Sequence, residues 1–274
     1  MIEATTTQAP NCDLVATVSL PAPASALAAR IERFVQWLLR HWLLLVGLAL
    51  GIWTTLPWLA PVLMYMGWRK LAWWIYFIYG LFCHQLPQRS WFLFGSRFTP
   101  TLAEIQAASG VSDDFFALRS FIGTPELGWK LAWSDRMVSF YSGWSLFALL
   151  YGLLRGRVRG LRPIGRGLPW QAALLLMLPM AVDGITHMVS DLWGVTAGFR
   201  QSNAWLALLT GSLLPPTFYA GDAWGSFNSL ARLVTGLLAA FGLIFWLLPF
   251  VDRALRCEGS ATTEADQPQR REIA

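Results

Sequence analysis

Four stretches of the chain are apolar for long enough to cross a bilayer, and two more fall short. Phe34 to Leu56, Met137 to Leu154, Leu168 to about Val189 and Leu230 to Phe250 approach or exceed the roughly 20 residues that a spanning helix needs. Pro57 and Pro61 mark the far end of the first, and Pro179 interrupts the third. The runs from Leu71 to Phe82 and from Asn203 to Leu214 suit re-entrant or interfacial helices. Between them, Phe94 to Asp135 is the long polar stretch, and its signals are helical. Thr101 with Glu104 forms a capping box that Gly110 closes, and Ser112-Asp113-Asp114 opens a second helix that Gly123 stops. Thr124-Pro125-Glu126 reads as an N-cap followed by proline at the first helical position. Residues 94–135 are therefore expected as a small amphipathic helical cap, pressed onto the bundle or the membrane by Phe115, Phe116 and Phe121. Residues 1–29 and 253–274 lack a core-forming pattern and read as disordered tails around one membrane domain, 30–252.

Charge places these elements. Arg155, Arg157, Arg159, Arg162 and Arg166 follow the second span directly, and arginine-rich loops stay cytoplasmic. With four spans both termini lie inside, where Arg30, Arg33, Arg253 and Arg256 agree with the rule; with six spans they lie outside. The expectation is an all-α integral membrane protein of the cytoplasmic membrane: four spanning helices, two short ones, and an outer-face cap.

Composition agrees. Of 274 residues, 55% are hydrophobic and 14% charged, against about 25% charged in soluble domains. Sixteen tryptophans suit membrane interfaces. The net charge of +5 sits in short loops and termini, so it is no nucleic-acid footprint. Cys12, Cys83 and Cys257 are scattered and imply no disulfide framework.

Candidate chemistry gathers where spans meet the outer surface. Cys83-His84-Gln85, followed by Arg89, ends an aromatic apolar run. A thiolate and an imidazole ligate zinc or another divalent metal, with Asp183 and His187 as further candidates, although adjacent residues on a helix diverge by about 100°. The alternative is an interface turn in which His84 satisfies backbone carbonyls. Asp183 and His187, four apart, share one helix face. An intramembrane carboxylate needs a partner, and Arg89, Arg136 and Arg200 are available. Ser202 or Asn203 is placed to cap the short helix after Arg200, which would turn free N–H groups toward an anion. Arg136 with Tyr141, and Asp222 before the last span, complete the set of ligand-binding or proton-relay candidates. No HExxH, Gly-x-Ser-x-Gly, Walker or CxxCH pattern assigns a reaction.

Taken together, Cys83-His84-Gln85 with Arg89-Ser90, Arg136 with Tyr141 and Gly143, Pro179 to Gly184, and Ser202-Asn203 resemble the motifs of an uncharacterised prokaryotic membrane-protein family, the domain of unknown function numbered twenty eighty-five. The resemblance extends over most of residues 57–250. Many relatives carry cysteine or an additional aspartate around the second-motif arginine; here Trp133, Ser134 and Met137 surround Arg136. The family implies a site and no reaction. Three functions follow as expectations: an outer-face pocket that binds, transports or modifies a small polar or amphipathic ligand; an accessory subunit of a homo-oligomer or larger membrane complex; and a metal-dependent membrane enzyme.

Overall fold

The computed structural model describes residues 26–155 and 167–265. Arg157, Arg159, Arg162 and Arg166 fall outside the described residues, as does nearly all of the N-terminal tail. Among the described residues four helices are long and apolar enough to span a membrane, which favours four spans over six: α1 (Ala26–Tyr65), α5 (Asp135–Leu154), α6 (Trp170–Asp191) and α10 (Phe227–Ala265). The short run after α1 is α2 (Arg69–Gly80). The run from Asn203 to Leu214 holds only the short helix α8 (Ala204–Leu209), flanked by the single turns α7 (Phe199–Ser202) and α9 (Pro216–Tyr219).

Neither Pro57 nor Pro61 ends α1, which runs for 40 residues through both. Pro57 deprives the Trp53 carbonyl of its helical donor, and the Tyr79 hydroxyl of α2 supplies one at 2.8 Å. Both prolines are buried. Pro179 likewise lies within α6 without ending it. At the other end α10 continues to Ala265, beyond Arg253 where a tail was expected.

The spans alternate in direction. Thr54 of α1 meets Ser145 of α5 at 3.1 Å, and Arg155 just past α5 lies over Trp42 of α1. Small residues bring α10 against both neighbours: Gly236 abuts Ser139 and the Arg136 carbonyl, Gly143 abuts Ala240, and Gly242 abuts Ala173 and Leu176 of α6. At the Arg155 end, Arg155 pairs with Asp252, and Leu168 bonds the Phe245 carbonyl. The apolar core there is Ala148, Tyr151, Ile244, Phe245 and Leu248. Side chains such as Leu44, Leu48, Leu149, Leu175 and Val234 stay exposed on the outer surfaces of the spans, as lipid contact requires.

The cap at the opposite end is only partly helical. α3 (Leu102–Ser109) has the Thr101–Glu104 capping box and a left-handed Gly110, and α4 (Phe115–Ser120) is capped by Asp114. Thr124-Pro125-Glu126 starts no helix; it turns between β2 (Gly123–Thr124) and β3 (Gly128–Ser134). β1 (Ser90–Leu93) pairs antiparallel with the other side of β3, giving the order β1-β3-β2. A Cβ at Gly95, Gly123 or Gly128 would strike a neighbouring backbone, so these three glycines permit strand approaches that capping signals cannot reveal. β3 runs straight into α5 and packs on α1 and α2 around Tyr76, Tyr79, Leu131 and Trp133. Of the three expected cap anchors, Phe121 joins Phe92, Ile105 and Leu127, Phe115 meets His84, and Phe116 stays exposed.

Candidate functional site

Four arginines and four aspartates from separate segments converge at the cap end of the spans. Asp135, the first residue of α5, takes Nε and Nη2 of Arg232 from α10 at 2.7 and 2.9 Å. Arg232 passes Nη1 to Asp222 at 2.6 Å, and Asp222 also accepts Nε of Arg89 at 2.8 Å. Arg89 forks onto Asp191 at the end of α6 through two 2.7 Å bonds. The second half of the network centres on Asp183, which accepts from Arg136 at 2.6 Å and Arg200 at 2.5 Å.

His187 stands between the halves. One ring nitrogen is 3.4 Å from Asp183 and 3.3 Å from Arg136; the other is 3.3 Å from Arg232 and 3.8 Å from Asp222. The local structure explains this convergence. The i, i+4 spacing stacks Asp183 on His187, and a further turn brings Asp191 to the end of the same helix. Gly184 faces Arg136, and Gly198 lies against Ser190, so the backbone carrying Arg200 folds onto α6.

Four guanidinium groups balance four carboxylates around His187. That satisfies the demand that buried charge be paired and hydrogen-bonded. At Asp222, burial works to raise the pKa, but Arg89 and Arg232 overcome it and hold the carboxyl well below its usual range. Burial works to lower Arg89, and Asp222 and Asp191 raise it instead. At Arg200 burial prevails over Asp183 and the value is lowered.

Beside the network lies a cavity of about 470 Å³ under the end of α2. Arg89, Arg136 and Arg232 form its inner wall, Cys83, His84, Ser134 and Arg119 its sides, and Leu81, Phe82 and Met137 its apolar lip. His84 is held below its ordinary pKa, first by burial and then by Arg119 and Arg89. It therefore presents a neutral imidazole, with its edge on Phe115.

The expected residues fall into three groups. Arg136, Asp183, His187, Arg89 and Asp222 share the ionic network, while His84, Gln85 and Cys83 line the adjoining cavity. His84 and Asp183 thus lie at the same end, linked through Arg136. Gln85 is a clasp as well: its amide donates to the Tyr76 and Ala132 carbonyls, and its own carbonyl accepts from buried Lys130. Its positive φ of 53° is held by these bonds.

Tyr141, Ser202 and Asn203 correct the sequence reading. Tyr141 stacks on Trp133 and meets Trp53 in the aromatic core, because its helix face turns toward α1. Ser202 is exposed and stands apart from the network. Asn203 stands at the N-cap position of α8 but makes no side-chain cap bond there; it is the left-handed C-cap of α7, and its amide ties together the Arg200 and Tyr219 carbonyls and Asn228. The helix it precedes has six residues and offers no anion site.

The metal set also fails to assemble. Asp183 and His187 are occupied by arginines, and Cys83 bonds Ser134 at 3.4 Å. Among the described residues no three His, Cys, Asp or Glu side chains converge as a metal would need. Arg232 and Asp191 were missed by the sequence reading. The signal for Arg232 was available as an arginine inside an apolar span, which demands a buried partner.

The molecule is a four-span membrane protein whose cap end holds a buried ionic network beside a cavity. The motif resemblance is borne out: the family described as "Predicted membrane protein (DUF2085)" matches residues 119–219. That stretch contains Arg136, Tyr141, Gly143, Asp183-Gly184 and Ser202-Asn203, and stops short of Cys83-His84-Gln85. The chain is also similar to an uncharacterised protein, MJ1492, of Methanocaldococcus jannaschii, 24% identical over 196 residues, which cover 70% of this chain and 80% of the relative. No solved structure gives a significant match.

Proposed function

We propose that the protein binds a small polar or amphipathic ligand in the cavity beneath the cap, on the outer face of the cytoplasmic membrane. The carrying observation is that the cavity's inner wall and the buried network share Arg89, Arg136 and Arg232. A ligand in the cavity therefore touches groups that also clamp α5, α6 and α10 together. The exposed lip residues Leu81 and Phe82, 72% and 51% accessible, support entry from the lipid side. The exposed Trp73, Trp74 and Phe77 of α2 suit the headgroup region, where aromatic belts lie.

Native mass spectrometry of the gently detergent-purified full chain tests this reading. Wild-type protein is expected to retain a small molecule that Met137→Trp, which fills the lip, no longer holds. An empty wild-type cavity, together with membrane levels and growth phenotype unaffected by alanine at Arg119 or His84, would sink it.

A further inference from the structure

The charged side chains lining the cavity carry one sign. Arg89, Arg119, Arg136 and Arg232 face it, and among the described residues no aspartate or glutamate does. Arg89, Arg136 and Arg232 are each held from behind by carboxylates of the network. Arg119 is not. It gives one N–H to the Gly80 carbonyl at 2.6 Å, and no carboxylate among the described residues pairs with it. Arg136 lines the same cavity, with Nη2 held by Asp183.

An unneutralised guanidinium beside a partly water-excluded space is costly, and an oxyanion that accepts its remaining donors removes that cost. Guanidinium forks match the geometry of phosphate and carboxylate oxygens, so the donor set is selective as well as positive. Size adds a second constraint. A cavity of about 470 Å³ has room for roughly fifteen waters at about 30 Å³ each, well beyond one bare anion. Leu81, Phe82 and Met137 are its apolar lining.

Resting on the reading of this cavity as a binding site, we infer that its ligand carries an oxyanion group, phosphate or carboxylate, received by Arg119 and Arg136. Two sources share that chemistry: a membrane amphiphile whose chain leaves over Leu81 and Phe82, and a free soluble anion.

Thermal-shift titrations of the purified full chain separate them, using short-chain phosphatidate, diacylglycerol of the same chain length, which lacks the phosphate, and inorganic phosphate. Phosphatidate is expected to bind at least tenfold more tightly than diacylglycerol, with the preference reduced about tenfold by Arg119→Gln, the scale of one charge-assisted contact. Phosphatidate exceeding inorganic phosphate identifies the amphiphile; equal binding of the two identifies the free anion. Diacylglycerol binding as tightly as phosphatidate overturns the anion inference while leaving the pocket intact. If no probe stabilises the wild type more than it stabilises Met137→Trp, both readings fall. Should Arg119→Gln not fold, the comparison of phosphatidate with diacylglycerol on the wild type alone decides.

Discussion

Lys130 shows what burial asks of a single residue. Its side chain is fully enclosed between the cap and α2, and its Nζ donates to the carbonyls of Gln85 and Arg119 at 2.7 and 2.9 Å. Burial lowers its pKa to about 7, with Arg119 adding to that and Cys83 opposing it. The folded protein then holds fewer protons than the unfolded chain between about pH 7 and the ordinary lysine value near 10.5. Stability must rise with pH across that window, flatten below it, and carry a contribution on the order of a few kcal/mol. A melting curve in detergent measured from pH 7 to pH 10 is expected to climb for the wild type and to flatten for Lys130→Met. An equal slope in both proteins would refute this role. The network beside Lys130 behaves differently, because each of its charges has an opposite partner and removal of one member strands the rest.

At the scale of elements, helix contact depends on a few small residues. Gly236 of α10 lies where a Cβ would press on Ser139 and stand 3.0 Å from the Arg136 carbonyl. Gly47 of α1 has nothing within 4 Å. Gly236→Ala is therefore expected to separate α5 from α10 and cost about 1–3 kcal/mol, the range for overpacking. Gly47→Ala should be neutral or slightly stabilising, since alanine is the better helix former. Melting temperatures of the two variants check this, and equal values would remove the argument for close α5–α10 contact. The separation of α5 from α10 would also weaken the Asp135–Arg232 pair that bridges them.

The whole molecule is polarised along the membrane normal. The pair Arg155–Asp252 closes one end, while the ionic network, the cavity and the sheet-and-helix cap occupy the other. The orientation we propose from the positive-inside rule puts the first end in the cytoplasm. In a background with Cys12, Cys83 and Cys257 replaced by serine, a cysteine at exposed Ser96 in the cap is expected to react with a membrane-impermeant thiol reagent in intact cells. One at Gly160 in the arginine loop should react only after lysis. The reverse pattern would invert the topology and move the cavity to the cytoplasmic face.

Much of this was readable in the chain. Run length and the arginine loop specify four spans because the bilayer sets a minimum helix length and backbone groups in lipid must bond within the helix. Thr101-Glu104, Gly110 and Asp114 act within a few residues, so their caps were legible. The i, i+4 pair Asp183–His187 and its need for Arg136 or Arg200 were legible too, since a charge in apolar surroundings announces that it has a partner. Tertiary structure alone decided the rest. Pro57 stays inside α1 because Tyr79 satisfies the freed carbonyl, and Thr124-Pro125-Glu126 becomes a strand turn because Gly95, Gly123 and Gly128 let backbones meet. Tyr141 belongs to the core through Trp53, distant in sequence, and Asn203 to a carbonyl clasp through Tyr219. Arg232 reached the site from the last span for the same reason. Local patterns register what a residue needs, but which residue meets that need depends on how the helices are brought together.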